Sequence, residues 1–142
     1  MALLSKAQIL AADKKKSKDV PVKEWGGTVR LQELSAAERD LWESESFLTE
    51  ENDEGEEVAR FNPKQARARL VVRCIVDETG KRLFTDDEVA AVGSLSASTV
   101  QKLFTEARKL NAISANDIEE LEKNSDAAPS GASSSNSASA SA

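Results

Sequence analysis

Apolar residues recur at helical spacing through most of this chain, and recognisable start and stop signals divide the pattern into separate helices. The sequence predicts a first helix over residues 5–12, because Ser5 and Gln8 have the spacing of a capping box. A second helix is predicted from a capping box of Ser35 and Glu38 to about residue 48. These signals place one helix on each side of a segment with strand character.

The apolar side chains of these two helices indicate which faces meet the core. The first helix has four large aliphatic residues that we expect to make apolar contacts: Leu3, Leu4, Ile9 and Leu10. One face of the second helix carries Leu34, Ala37, Leu41 and Leu48. Because successive helical residues are turned by about 100°, Trp42 is expected on the flank of this stripe, beside Leu41.

A third helix is predicted to begin at Asn62 and Pro63, with the asparagine as the cap and the proline at the first helical position. Its apolar residues form two stripes, one of Ala68, Val71, Val72 and Ile75, and another of Ala66, Leu70 and Cys74. A helix that is apolar on two sides is usually central to its domain. The β-branched residues of this segment also allow a strand, and the pattern alone leaves both readings open.

The segment after the third helix contains two further local signals. Residues 77–81 are predicted to form a turn with Gly80 at positive φ, after which Leu83 and Phe84 return apolar surface to the core. A capping box over residues 85–88 then opens a short helix, which Gly93 stops.

The last predicted helices follow Ser96. This serine is expected to cap a helix over residues 97–110, and Asn111 is expected to end it in the left-handed conformation. A final short helix is predicted from Ser114 to residue 121. One face of the 97–110 helix carries Val100, Leu103, Phe104, Ala107 and Leu110.

Residues 20–31 have the pattern of a β-hairpin. Gly26 and Gly27 supply the positive torsions of a tight two-residue turn between two runs with strand character. Pro21 lacks an N–H donor, so its arm is predicted to be an edge strand. Because a lone hairpin is only marginally stable, we expect it to pack on a helix or to meet another strand, from this chain or from another subunit.

Charge and composition separate three segments from this pattern. Six of the eight residues 50–57 are acidic, which predicts a mobile exposed loop. The basic run at 14–18 is interpreted as a solvated linker, with a binding patch as the alternative. From residue 124 the chain is rich in Ser and Ala and is predicted to be disordered. The expected fold is mainly α with a small β-hairpin (α+β), with a helical domain over 1–123 and a tail over 124–142.

The residues that usually perform catalysis or bind metals are missing or isolated. The chain has no histidine, the commonest general base and metal ligand, and its one cysteine, Cys74, lies on an apolar stripe. Residues 79–81 lack the glycine and hydroxyl positions of a phosphate-binding loop, and the acids at 86–88 are explained by helix capping. We therefore predict no enzymatic activity, no cofactor and no metal site.

The charge balance also limits the partners. With 25 acidic and 19 basic residues, the net charge of −6 disfavours nucleic acid and anionic membranes as partners. The N-terminus has no long apolar run, so we expect neither a signal peptide nor a membrane span. Arg60, Lys64 and Arg67 are placed on one face of the third helix, where they are interpreted as a solvated face or as partners of the acidic loop, with DNA contact as the alternative.

Three aromatic residues are the candidate partner-binding residues: Trp42, Phe47 and Phe104. Packing in the core is the ordinary role for each of them. Trp42 and Phe47 lie on opposite flanks of the second helix, where an exposed aromatic side chain would mark an interface. Phe104 lies in the middle of its own apolar stripe, which favours the core for this residue.

Three segments together carry a family resemblance. They are PVKEWGGTVRL at 21–31, RCIVDETGKRLFTDDEV at 73–89 and LFTEARKLNAISANDIEELEKN at 103–124. In this order they resemble the tail assembly chaperones of long-tailed bacteriophages, particularly those with flexible noncontractile tails. The resemblance covers about residues 3–124, which is nearly all of the predicted domain.

The resemblance implies a non-enzymatic role in building a phage tail. Such chaperones bind the long, helical, apolar tape measure protein, keep it soluble and help to recruit tail tube protein before leaving the assembly. It implies a protein that acts in the bacterial host cytoplasm and is absent from the mature virion. Because exposed apolar surface invites self-association, we also expect a homo-oligomer. An apolar groove or flank with a charged exterior is the physical requirement for holding an apolar helix reversibly.

Two other functions stay open at this stage. The helices predicted at 85–92 and 97–110 have a superficial likeness to a helix-turn-helix, so a small DNA-binding or regulatory protein is one alternative. Gln101, Lys102, Arg108 and Lys109 would then be the residues that read bases. The other alternative is a structural component of the virion tail.

Overall fold

The computed structural model describes residues 2–113 and gives this part of the chain an α+β fold, as predicted. Its five α-helices are α1 (Lys6–Ala12), α2 (Ala36–Ser46), α3 (Ala66–Cys74), α4 (Val89–Gly93) and α5 (Ala97–Leu110). Its five strands are β1 (Ser17–Val22), β2 (Gly27–Gln32), β3 (Phe47–Glu51), β4 (Glu57–Phe61) and β5 (Ile75–Val76). The last predicted helix from Ser114 and the tail from residue 124 lie outside the described residues, so the domain division stays a prediction.

Helix α3 is the centre of the fold, as its two apolar stripes predicted. Every residue from Ala68 to Cys74 is buried, and α3 packs against α2, α4 and α5. Both readings of this segment hold in part, because the helix ends at Cys74 and the next two residues continue as strand β5. From α5, the side chains of Val100, Leu103 and Ala107 enter the same core, while Phe104 and Leu110 pack at its edge.

The predicted first hairpin is present, but its turn is longer than expected. Strands β1 and β2 pair in antiparallel register from Ser17 opposite Gln32 to Val22 opposite Gly27. The connection is a 3₁₀ turn over Lys23–Trp25 that closes at Gly26, whose φ is 71°. The two-residue turn at Gly26 and Gly27 was therefore wrong, because only the first glycine adopts the left-handed conformation.

The hairpin gains its third strand from the same chain. The strand order is β1-β2-β5, with Arg30 opposite Val76 and Leu31 opposite Ile75. Strand β1, which contains Pro21, lies at the edge as predicted. Val20, Val22 and Leu31 are buried, so the sheet closes one side of the core around α3 and α5.

The acidic segment at 50–57 is the end of a second hairpin. Residues 52–56 form a largely exposed loop, as predicted, but residues 50, 51 and 57 belong to paired strands, which the prediction missed. Strands β3 and β4 pair from Phe47 opposite Phe61 to Glu51 opposite Glu57. At the tip, the side-chain oxygen of Asn52 accepts hydrogen bonds from the N–H groups of Glu54 and Glu56, each at 2.9 Å. This local turn and the cross-strand pairing order a segment in which charge repulsion was expected to dominate.

Two helix boundaries differ from the prediction because polar side chains bind nearby backbone. The oxygen of Asn62 accepts a hydrogen bond from Lys64 N at 3.1 Å, which makes a local turn, and α3 begins only at Ala66. At the end of α5, Asn111 keeps a negative φ and Ala112 adopts the left-handed conformation at φ 54°. The predicted left-handed residue was therefore wrong by one position. The capping boxes at Ser5, Ser35 and Thr85 and the positive φ of Gly80 are confirmed.

Candidate docking surface

Helix α1 is a helix that the fold leaves uncovered. None of its residues is buried, although its capping box forms fully, with Ser5 Oγ accepting from Gln8 N at 3.2 Å. The four aliphatic side chains that were expected to pack are exposed instead, from 96% at Leu3 to 52% at Ile9. That expectation was wrong, because no other element of the described chain covers this helix. A helix that is apolar on most sides normally has a partner.

Helix α2 exposes to solvent the face that the sequence pattern assigned to the core. Leu41 and Leu48 are 52% and 50% exposed, whereas Trp42 is 2% exposed and belongs to the core cluster. Leu41 and Trp42 have therefore exchanged roles, while Leu34 of the same stripe is buried as predicted. The indole offers the larger apolar area, so its burial decides how the helix is turned. Leu48 leaves the stripe because α2 ends at Ser46 and the chain continues as strand β3.

The other two aromatic residues are half-buried. Phe47 packs edge-on against Phe61, with ring centroids 5.8 Å apart at the base of the second hairpin. Phe104 packs against the core, and the guanidinium of Arg108 lies over its ring at 5.3 Å from the centroid. The predicted binding role of Trp42, Phe47 and Phe104 stays a prediction, but within residues 2–113 Trp42 has almost no surface to offer a partner.

A network of charged side chains around two buried arginines, Arg69 and Arg73, holds α2, α3 and the following loop together. The Nη1 and Nη2 atoms of Arg73 donate to the two carboxylate oxygens of Glu45 at 3.0 and 2.9 Å. Asp86 lies 3.5 Å from Arg73 and 2.8 Å from Arg82. The two Nη atoms of Arg69 donate to backbone instead, to the carbonyl of Asn62 at 2.7 Å and to that of Lys64. These contacts fix α2, which carries the exposed Leu41.

The pKa values in this network follow from burial and pairing. Burial lowers the pKa of Arg69, which has carbonyl partners. Burial acts in the same direction on Arg73, but the hydrogen bonds and charge of Glu45 outweigh it and raise the pKa of that guanidinium. Burial alone would raise the pKa of Asp86, and the arginines at 82 and 73 reverse this and lower it. Pairing therefore favours the charged forms of Arg73 and Asp86, which act as structural ties.

Cys74 has the environment of a structural thiol. It is fully buried in α3, and burial raises its pKa from the ordinary 9.0 to about 12, against a smaller opposing effect of its hydrogen bond with Asn111. A protonated, enclosed thiol is a poor nucleophile. The prediction that this cysteine packs in the core is confirmed.

The basic residues considered for DNA contact are dispersed or already engaged. Arg60 lies in β4 with its Nε 3.1 Å from a carboxylate oxygen of Glu50, so its expected pairing with the acidic segment is confirmed. Lys64 precedes α3, and Arg67 donates to Gln101. The prediction that these three residues share one face of a helix was therefore wrong, since α3 begins only at Ala66.

The would-be recognition helix α5 is a core helix. Its Val100, Leu103 and Ala107 are buried. Of the polar residues proposed to read bases, Lys102 donates from Nζ to the carbonyl of Pro21 at 2.8 Å, and Gln101 donates to Thr105 at 3.1 Å. Helix α4, the other half of the supposed pair, has only 5 residues.

Neither a metal centre nor a membrane span is found within residues 2–113. No group of three or more potential ligand side chains in this range is arranged to hold a metal ion. None of the helices in the described part is long and apolar enough to cross a membrane. The feature left to explain is the exposed aliphatic surface, which is densest over residues 3–10, on α1 and the two leucines just before it.

Comparison with known proteins adds three findings. A family model for the phage tail assembly chaperone matches residues 5–124. Among solved structures, the chain is similar to that of the bacteriophage HK97 tail assembly chaperone, with 23% sequence identity and a TM-score of 0.49, over 73% of this chain and 91% of that one. No curated protein sequence is significantly similar to the chain.

Proposed function

The chain belongs to the phage tail assembly chaperone family, and from this premise we propose that it binds the tape measure protein through the exposed aliphatic surface of α1. In this proposal the chain keeps that long apolar protein in solution and helps to bring tail tube protein to it. It acts in the host cytoplasm and is absent from the finished virion.

The observation that carries the proposal is the exposure of α1. Leu3, Leu4, Ile9 and Leu10 are four large aliphatic residues within eight positions, and none of them is buried in the described chain. An apolar helix of a client can lay its own face against such a surface, as amphipathic helices do in grooves of many binding proteins. The lysines at 14–16, directly after the helix, keep the edge of the surface hydrated.

The size of this surface suits reversible binding. Burying one large aliphatic side chain contributes roughly 1.5–3 kcal/mol. Ile9, at 52% exposed, has less surface left to bury than Leu3, at 96%. The ordering of two chains offsets much of the gain. A chaperone needs this balance, because it must release its client when the tail tube forms.

The same surface explains why self-association is part of the proposal. Exposed apolar patches of this kind favour contacts between copies as well as with a client. We therefore propose a homo-oligomer whose copies present several α1 helices to one long client. No chemical step is required of any residue in this account.

Capture of the tape measure protein by the full chain tests the proposed function. Replacing Ile9 and Leu10 by glutamine should reduce capture at least tenfold and leave the circular dichroism spectrum and the unfolding midpoint unchanged, because neither side chain is packed. The matched control replaces Leu83 and Leu95, which are also exposed but lie elsewhere, and should capture normally. Equal capture by both double variants would remove α1 from the client site.

A further inference from the structure

We propose that residues 117–122 of this same chain lie against α1 when no client is bound, so that the chaperone shields its own docking surface. This inference rests on the proposed function for its biological meaning, but the contact itself is testable without a client. Three observations carry it: where the described chain ends, how the charges match, and how the apolar residues match.

The described chain ends beside the linker that follows α1. Leu34 N donates to Asn111 Oδ1 at 2.8 Å, so the end of α5 lies against the start of the α2 segment. The preceding residue, Glu33, is joined to Lys16 by two hydrogen bonds, from Lys16 N to its carboxylate at 2.8 Å and from its own N–H to Lys16 O at 2.9 Å. The described chain therefore ends close to the point where α1 joins the domain.

Residues 114–122 have the length that this contact requires. Residues 114–116 alone can span roughly 10 Å when extended, and the seven residues of α1 are about 10 Å long. A segment of six residues starting at 117 is thus long enough to cover most of α1. The matched family segment runs from residue 5 to residue 124 and so includes both α1 and this segment.

The charges of the two segments are complementary. Residues 117–122 read Asp-Ile-Glu-Glu-Leu-Glu and carry four carboxylates. Helix α1 and its linker carry four ammonium groups, on Lys6, Lys14, Lys15 and Lys16, and none of these is paired with a carboxylate inside residues 2–113. Each such exposed pair contributes little alone, but several of them fix the orientation of a docked segment.

The apolar residues also match. Ile118 and Leu121 are separated by three positions, so a helical turn would put them on one face. That face would meet the aliphatic surface of α1, which has no other cover in the described chain. A client helix with a longer apolar face would displace this small contact, since it buries more surface at the same place.

A disulfide experiment on the full chain tests the contact. The Leu10→Cys/Leu121→Cys variant should form an intramolecular disulfide at least tenfold faster than Leu10→Cys/Ser133→Cys, a pair that differs only in placing the second cysteine beyond the proposed contact. The native Cys74 is buried and does not compete. Disulfides that form only between molecules would show that a second copy covers α1 and would overturn the proposal, as would equal rates for the two pairs.

Hydrogen exchange provides a second readout with matched charge changes. Reversing Glu119, Glu120 and Glu122 to lysine should accelerate amide exchange in α1 at least fivefold. Reversing Asp53, Glu54 and Glu56 at the tip of the second hairpin changes the net charge equally and should leave α1 unchanged. Equal effects of the two triple variants, or no effect of the first, would contradict the proposal. The two proposals can fail separately. If replacing Ile9 and Leu10 abolishes client capture but the disulfide experiment is negative, the proposed function stands and only the contact with residues 117–122 is excluded.

Discussion

The guanidinium of Arg73 and the carboxylate of Glu45 form a two-point ion pair that joins α3 to α2, with N–O distances of 3.0 and 2.9 Å. The arginine side chain is only 2% exposed, while the glutamate side chain keeps 43% of its surface in solvent. The pair therefore lies at the boundary of the core, where one partner depends on the other for its charge balance. It helps to hold α2 in the orientation that exposes Leu41.

Replacing Glu45 by alanine should lower the free energy of unfolding by about 2 kcal/mol, because the buried Arg73 would keep only the more distant Asp86 as an ionic partner. The partial exposure of Glu45 places the value below that of a fully buried pair. Glu43→Ala is the control, since Glu43 pairs with Arg39 on the surface at 3.3 Å and should cost less than about 0.5 kcal/mol. Urea denaturation measures both, and equal losses would show that the two-point pair has no special role.

Replacing Trp42 should destabilise the fold far more than replacing its neighbour Leu41. Trp42→Ala removes a core side chain and should cost about 3–5 kcal/mol of stability. Leu41→Ala removes an exposed side chain and should change stability by less than about 1 kcal/mol. Thermal or chemical unfolding separates the two, and a stable Trp42→Ala protein would mean that the indole is not part of the core.

Asn111 links the end of α5 to the start of α2 through its buried side chain. Besides accepting from Leu34 N, its Nδ2 donates to the carbonyl of Ala107 at 2.9 Å. Asn111→Ala leaves the buried N–H of Leu34 without a partner and should cost about 1–3 kcal/mol. Gln101→Ala, which removes half-buried amide contacts at the surface, should cost much less when measured by the same denaturant titration. Similar losses of stability in Asn111→Ala and Gln101→Ala would indicate that water takes over the hydrogen bonds of the Asn111 amide.

The raised pKa of Cys74 predicts a specific alkaline effect on stability. Between pH 9 and about 12 the unfolded chain loses the thiol proton while the folded chain retains it, so the unfolded state binds fewer protons and stability falls with rising pH. In this range the free energy of unfolding should fall by about 1.4 kcal/mol per pH unit because of this thiol. Below pH 9 the thiol is protonated in both states and adds no pH dependence.

Comparison with Cys74→Ala isolates that effect from other titrating groups. The difference in the free energy of unfolding between the natural chain and Cys74→Ala should become smaller between pH 8 and pH 10.5. Only the natural chain loses stability through the thiol. A cost that is constant over this range would mean that the thiolate forms without unfolding. The native thiol should also react slowly with a disulfide reagent at pH 8 and rapidly once the chain is unfolded.

Local signals in the sequence predicted local structure well. The capping boxes at Ser5, Ser35 and Thr85 formed because each needs only a hydroxyl and a carboxylate or amide three residues apart. The central position of α3 was also predictable, since a helix with apolar residues on two sides has to be covered on both.

Features that depend on distant partners were predicted less well. Periodicity placed Leu41 in the core and Trp42 beside it, whereas competition for burial between the two side chains reversed this. The pairing of β3 with β4 was hidden by the acidic residues, because the sequence pattern does not show cross-strand contacts or the Asn52 turn. The exposure of α1 was equally hidden, since its residues are those of an ordinary packed helix and only the complete fold shows that nothing in the described chain covers them.

The central claim is that α1 holds an apolar client, and the most direct measurement is the soluble fraction of the tape measure protein when it is produced together with this chain. The account predicts that the natural chain keeps most of the client in the supernatant and that the Ile9→Gln/Leu10→Gln variant, although equally folded, leaves it in the pellet. A double variant that keeps the tape measure protein in solution as well as the natural chain does would contradict the account.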